Sequence, residues 1–141
     1  MTYSNILLPI DLEEPETQRK AFEVALHMAQ NEGAKLHVMT VVPKSPSVRG
    51  YFPADFEQKA SESADAELKA FVDAEAPDAD IIDRTVAIGS IHREILRCAE
   101  QTKSDLIVMA SHHPTVRDVL MSPHSIHIVT HAMQSVLVVR E

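Results

Sequence analysis

A chain of 141 residues, 45% hydrophobic and 24% charged, has the size and balance of one folded domain, expected here to span residues 1–141. Its formal net charge of −8, with histidines neutral, excludes a general grip on nucleic acid or on an anionic membrane surface. Only three glycines, Gly33, Gly50 and Gly89, stand against eight prolines, which excludes phosphate sites built from glycine-rich loops.

The N-terminus has no basic region, and its apolar stretch is too short for a signal peptide. Ile6 to Ile10 is a continuous apolar run ending at Asp11 and predicts a buried strand. From Glu14 to Glu32 the spacing is helical. Phe22, Ala25, Leu26 and Ala29 lie at i, i+3, i+4 and i+7, with Pro15 near the start and Gly33 just past the end. Lys35 to Val42, with β-branched Val38, Val41 and Val42, predicts a second strand. Pro43 to Pro53 reads as a long loop. Asp55 to Glu75 predicts a helix with Phe56, Ala60, Ala64, Leu68 and Phe71 on its inner stripe.

Ile81 to Ile88 predicts a third strand, and Ser90 is placed to cap a helix running to Gln101. The inner face of that helix is Ile91, Ile95, Cys98 and Ala99, which makes the single cysteine a small buried hydrophobe. Leu106 to Ala110 is the fourth strand, followed by a polar segment from Ser111 to Met121. Ser122-Pro123 opens a helix to Met133, with Ile126, Val129 and Met133 expected to meet the sheet. His124, His127 and His131 share the opposite face. The i, i+4 pair of imidazoles suits a metal ion, but no carboxylate or cysteine accompanies it, so a solvated face and no metal are expected. Val136 to Arg140 is the last strand, and an unpaired apolar edge there is a physical reason for pairing with a second copy.

Strands alternating with helices predict an α/β fold with a parallel sheet covered on both faces. Ligands of such sheets bind beyond the carboxyl ends of the strands. Pro9-Ile10-Asp11 and Ala110-Ser111-His112-His113 occupy such ends, and the helix opening at Ser122 offers its free N–H groups nearby. Asp11 either hydrogen-bonds a ligand's hydroxyls or caps its own turn. His112 and His113 either answer anionic charge or form a solvated loop pair.

Three segments carry a resemblance: Asn5-Ile-Leu-Leu-Pro-Ile-Asp11, Ala87-Ile-Gly-Ser90, and the block from Leu106-Ile-Val-Met-Ala-Ser-His-His-Pro114 through His131-Ala132 to Ser135-Val-Leu-Val-Val-Arg140. By these the chain resembles the universal stress protein family over nearly its whole length, and most of all the small bacterial F and G branch. The resemblance implies a five-stranded sheet of order 3-2-1-4-5, a homodimer through the last strand, and binding of ATP, ADP or AMP. It implies that Pro9 and Asp11 meet adenine and ribose and that Val41 contacts the adenine. Met109 and Ala110 would line the ribose–phosphate path. Ser111, His112, His113, Ser122, His124 and Ser125 would hold phosphates.

Where nucleotide-binding relatives show Gly-x2-Gly-x9-Gly, this chain reads Ala110-x2-His113-x8-Ser122, followed by Pro123, which has no N–H. Two functions follow as expectations. One is a cytoplasmic nucleotide-binding stress-response module acting on a protein partner. The other is a dimeric interaction protein of the same fold that has lost the nucleotide. A slow ATPase ranks behind both, since no nucleophile–base pair is evident.

Overall fold

The computed structural model describes residues 2–44, 55–77, 80–111 and 123–140, with the side chains of Pro123 and His124 outside that set. The strands are β1 (Asn5–Pro9), β2 (Lys35–Pro43), β3 (Ile82–Gly89), β4 (Leu106–Ala110) and β5 (Ser135–Val139). The helices are α1 (Pro15–Glu32), α2 (Phe56–Glu75), α3 (Ile91–Gln101) and α4 (Pro123–His131). All strand pairs are parallel, in the order β3-β2-β1-β4-β5.

The period-two alternation of a strand divides the core between two faces. Ile6, Leu8, Leu36, Val38, Leu106 and Val108 point to one side, where Phe22, Ala25 and Ala29 of α1 and Leu68 and Val72 of α2 cover them. Leu7, Met39, Ile107 and Met109 point to the other, under Ile95, Cys98 and Ala99 of α3 and Ile128 of α4. β1 lies at the centre with Ile6, Leu7 and Leu8 fully buried, which is why it reads as an uninterrupted apolar run. Phe22 meets Phe71 edge to face at 5.6 Å between ring centroids and ties α1 to α2. At the amino ends of the strands, the Asp105 carboxylate accepts hydrogen bonds from the N–H groups of Ser4 and Asn5, at 2.9 and 3.1 Å.

Three local expectations are corrected. On α4 the inward residues are Ser125 and Ile128, followed by Ala132 just past its end, not Ile126, Val129 and Met133. Ile128 and Ser125 are fully buried, whereas Ile126 and Val129 are more than 40% exposed and Met133 is 92% exposed. The helix has only nine residues and ends at His131, so Met133 falls in the turn to β5. On α2, Phe56 at the first turn is exposed, and burial begins only at Leu68. Ser90 takes the extended backbone of an N-cap, but its side chain makes no cap bond; its carbonyl accepts the Glu94 N–H at 2.9 Å.

Candidate functional site: a crevice at the carboxyl ends of the strands

β1 and β4 are neighbours in the sheet, yet the helices that follow them cover opposite faces: α1 follows β1 on one side and α4 follows β4 on the other. That divergence opens a crevice at the strand ends, the place parallel sheets reserve for ligands. It encloses about 520 Å³, within the range of small-molecule sites. Pro9, Ile10 and Asp11 enter it from β1, Thr40 to Pro43 from β2, and Met109, Ala110 and Ser111 from β4. One wall is α2, through Ala60, Ser63, Ala64 and Glu67, and another is α3, through Ile91 and Ile95.

Hydrogen bonds set the shape of the β1 side. Ile10 donates its N–H to the Met39 carbonyl at 2.7 Å, and its own carbonyl accepts the Thr40 hydroxyl at 2.8 Å. Asp11 Oδ1 accepts the Glu13 N–H at 3.0 Å, which closes an Asx turn. The Asp11 N–H donates to Gln18 Oε1 at 3.2 Å, and the Gln18 amide donates to Thr17 Oγ1 at 2.7 Å. Gln18 is buried. Asp11 therefore caps its own turn, and it also lies exposed in the crevice lining.

Six of the residues singled out from sequence, Pro9, Asp11, Val41, Met109, Ala110 and Ser111, come together in this lining. Ser111 is buried, and its N–H is already given to the Val139 carbonyl of β5 at 2.8 Å. Ser125 is fully buried in α4 and is not among the described lining residues; His124 belongs to the same helix. His112, His113 and Ser122 lie outside the described residues. Sequence reading missed Gln18, Thr40, Ser63 and Glu67. The signal for the α2 wall was present, because Ala60, Ser63, Ala64 and Glu67 repeat at i, i+3, i+4 and i+7, but its alanines read as core.

Away from the crevice, His127 stacks between His92 of α3 and His131, with ring centroids 4.2 Å from each. Partial burial, then the neighbouring His92 and His131, hold its pKa below the ordinary imidazole value. His131 Nδ1 lies 2.9 Å from the His127 carbonyl oxygen. No group of three histidine, cysteine or acidic side chains among the described residues is placed to hold a metal ion. Burial and the nearby Glu94 push the Cys98 thiol up, which suits a packed side chain and not a nucleophile. Among the described residues, no helix is long and apolar enough to cross a membrane.

Comparison with known proteins adds a family to this geometry. A model of the Universal stress protein family matches residues 2–140. Universal stress protein G of Escherichia coli O157:H7 is 32% identical over 142 residues, covering 98% of this chain and 99% of the relative. The solved universal stress protein UspA from Lactobacillus plantarum superposes with a TM-score of 0.73 at 25% identity, covering 99% of both chains. A universal stress protein solved in complex with cAMP superposes with a TM-score of 0.64 at 20% identity, over 99% of this chain and 98% of that one.

Proposed function

The chain belongs to the universal stress protein family, and from that premise we propose that it is a cytoplasmic stress-response module that binds an adenine nucleotide and acts as a homodimer. The observation that carries the nucleotide is the crevice itself. Apolar Pro9, Ile10, Val41 and Ile95 offer a slot for a flat base, and Asp11 lies beside them with a carboxylate that suits ribose hydroxyls. A structural neighbour that binds cAMP supports the same ligand class. The role is binding and signalling to a protein partner, not turnover. Phosphate groups would lie toward Ala110 and Ser111 and the segment that follows, where the resemblance sets His112, His113, Ser122, His124 and Ser125. The test is isothermal titration with ATP, ADP and AMP. Heat of binding that is lost in Asp11→Ala supports the reading, and no heat with millimolar ligand overturns it.

A second reading, a same-fold interaction protein without nucleotide, is favoured by His113 and Ser122 standing where relatives have glycine, and by Pro123. Mass spectrometry of freshly purified protein separates the two, because a co-purified adenine nucleotide removes the second. The homodimer rests on β5, an edge strand with Leu137 exposed, and on the exposed Met133 just before it.

A further inference from the structure

The last backbone bond from β1 to β2 is the Ile10 N–H, which donates to the Met39 carbonyl at 2.7 Å. Asp11 comes next along the chain, beyond that ladder, so its N–H needs an acceptor from elsewhere. A side chain of α1 supplies one: Gln18, only 6% exposed, accepts this N–H on Oε1 at 3.2 Å. The other neighbour of the carboxamide fixes which way it points. Thr17 Oγ1 donates its hydrogen to the Glu14 carbonyl at 2.8 Å, so toward Gln18 it accepts, and Gln18 Nε2 donates to it at 2.7 Å. The Glu14 N–H donates in turn to the Asp11 carbonyl at 3.2 Å. The ring of bonds thus closes on both ends of the Asp11 backbone. Its side chain is held as well, because Oδ1 accepts the Glu13 N–H at 3.0 Å. Asp11 Oδ2 makes no hydrogen bond to the described residues, and Asp11 is exposed in the crevice lining.

Resting on the nucleotide reading above, we propose that Gln18 is a positioning residue for ligand recognition: it fixes the Asp11 backbone so that Oδ2 receives a ribose hydroxyl. An exposed carboxylate ordinarily gives up rotational and backbone freedom when it binds. One held beforehand by Gln18 and by the Glu13 N–H gives up less, and the difference is kept as affinity. Gln18 also lines the crevice, but its oxygen is committed to Asp11. Its effect on the ligand therefore runs through the Asp11 contact with the hydroxyls and not through the base or the phosphate.

The test uses the full chain with AMP and with its 2′,3′-dideoxy analogue, which keeps the base and the phosphate and lacks both hydroxyls. Affinities come from isothermal titration, or from amide shift perturbation where binding is weak. The wild-type protein should bind AMP on the order of tenfold more tightly than the dideoxy analogue, as hydrogen bonds to a charged acceptor would give. In Gln18→Met, which keeps the length of the side chain and removes its polar atoms, that ratio should fall severalfold while the dideoxy affinity stays as in wild type. Thr17→Val, a near-isosteric change that frees the Gln18 amide, should lower the ratio in the same direction and keeps the test open if Gln18→Met does not fold. An unchanged ratio in the folded variants overturns the inference. Equal weakening of both ligands also overturns it, because Gln18 would then act on the pocket as a whole or on the base. Equal wild-type affinities for the two ligands overturn it too, while leaving the adenine slot intact. Failure of both ligands to bind the wild-type protein would overturn the nucleotide reading, and the inference with it.

Discussion

At Gly89 the backbone adopts a φ of +150°, and a Cβ there would sit 2.9 Å from Glu94 Oε1 and 3.1 Å from its Cγ. Both the dihedral and the space demand glycine, in a chain that has only three. Gly89→Ala should cost about 1–3 kcal/mol, read as a lower urea midpoint with an unchanged slope. Wild-type stability in this variant would show that Glu94 swings aside and the strand end relaxes. Asp11 presents the complementary case. Its position at a strand end and its capping of the turn were legible from the sequence, but its bond to Gln18 was not, because that contact depends on how the turn closes. Gln18→Leu removes the acceptor for the Asp11 N–H and should destabilise by about 1 kcal/mol, while altering the turn that presents Asp11. A thermal melt and a nucleotide titration on the same sample separate those two effects.

Among the elements, α4 holds the clearest disagreement between pattern and packing. Two stripes one residue apart compete on this helix and the turn after it: Ser125, Ile128 and Ala132 against Ile126, Val129 and Met133. The second is the more hydrophobic, and the first is the one buried. Ile128 enters the cluster formed by Ile95, Cys98 and Ala99 of α3 and Leu7 and Ile107 of the sheet, with Ala132 packed against it. Ile128→Ala should cost about 2–5 kcal/mol. Val129→Thr should change monomer stability by no more than about 0.5 kcal/mol. Equal losses in denaturant titrations would contradict this assignment.

The exposed stripe and Leu137 would also give the proposed homodimer a surface, so Leu137→Glu should shift the protein to monomer in sedimentation or sizing if β5 pairs with a second copy.

The contact between α3 and α4 is also where pH should act. His127 has a folded-state pKa below the ordinary 6.5, so the unfolded chain takes up its proton more readily. The stability that neutral His127 supports is fully present above pH 6.5 and is lost as pH falls through the lower folded value. His37, pushed down by burial, acts in the same direction. Melting temperatures should decline below pH 6.5, and His127→Gln should reduce that slope. A variant with the wild-type slope would place the titration elsewhere.

Across the whole molecule, β1 to β5 and the helices between them were legible because each signal is local. The apolar runs at Ile6–Ile10 and Leu106–Ala110, the helical spacing around Phe22 and the proline and glycine stops each report on their own segment. The alternation of the segments then leaves few ways to build a parallel sheet. The crevice was legible in outline for the same reason, since strand ends such as Asp11 and Ala110 can be located without knowing what faces them. What faces them was decided only by the tertiary structure. Glu67, Ser63 and Thr40 reach the crevice from α2 and β2, elements distant in sequence from β4. Which stripe of α4 is buried depends on a neighbouring helix. Residue types and their spacing thus determined the fold class, the strand ends and the shortage of glycine for gripping phosphate. Packing decided the acidic lining of the crevice and the commitment of the Ser111 amide to β5, because both arise where distant segments meet in space.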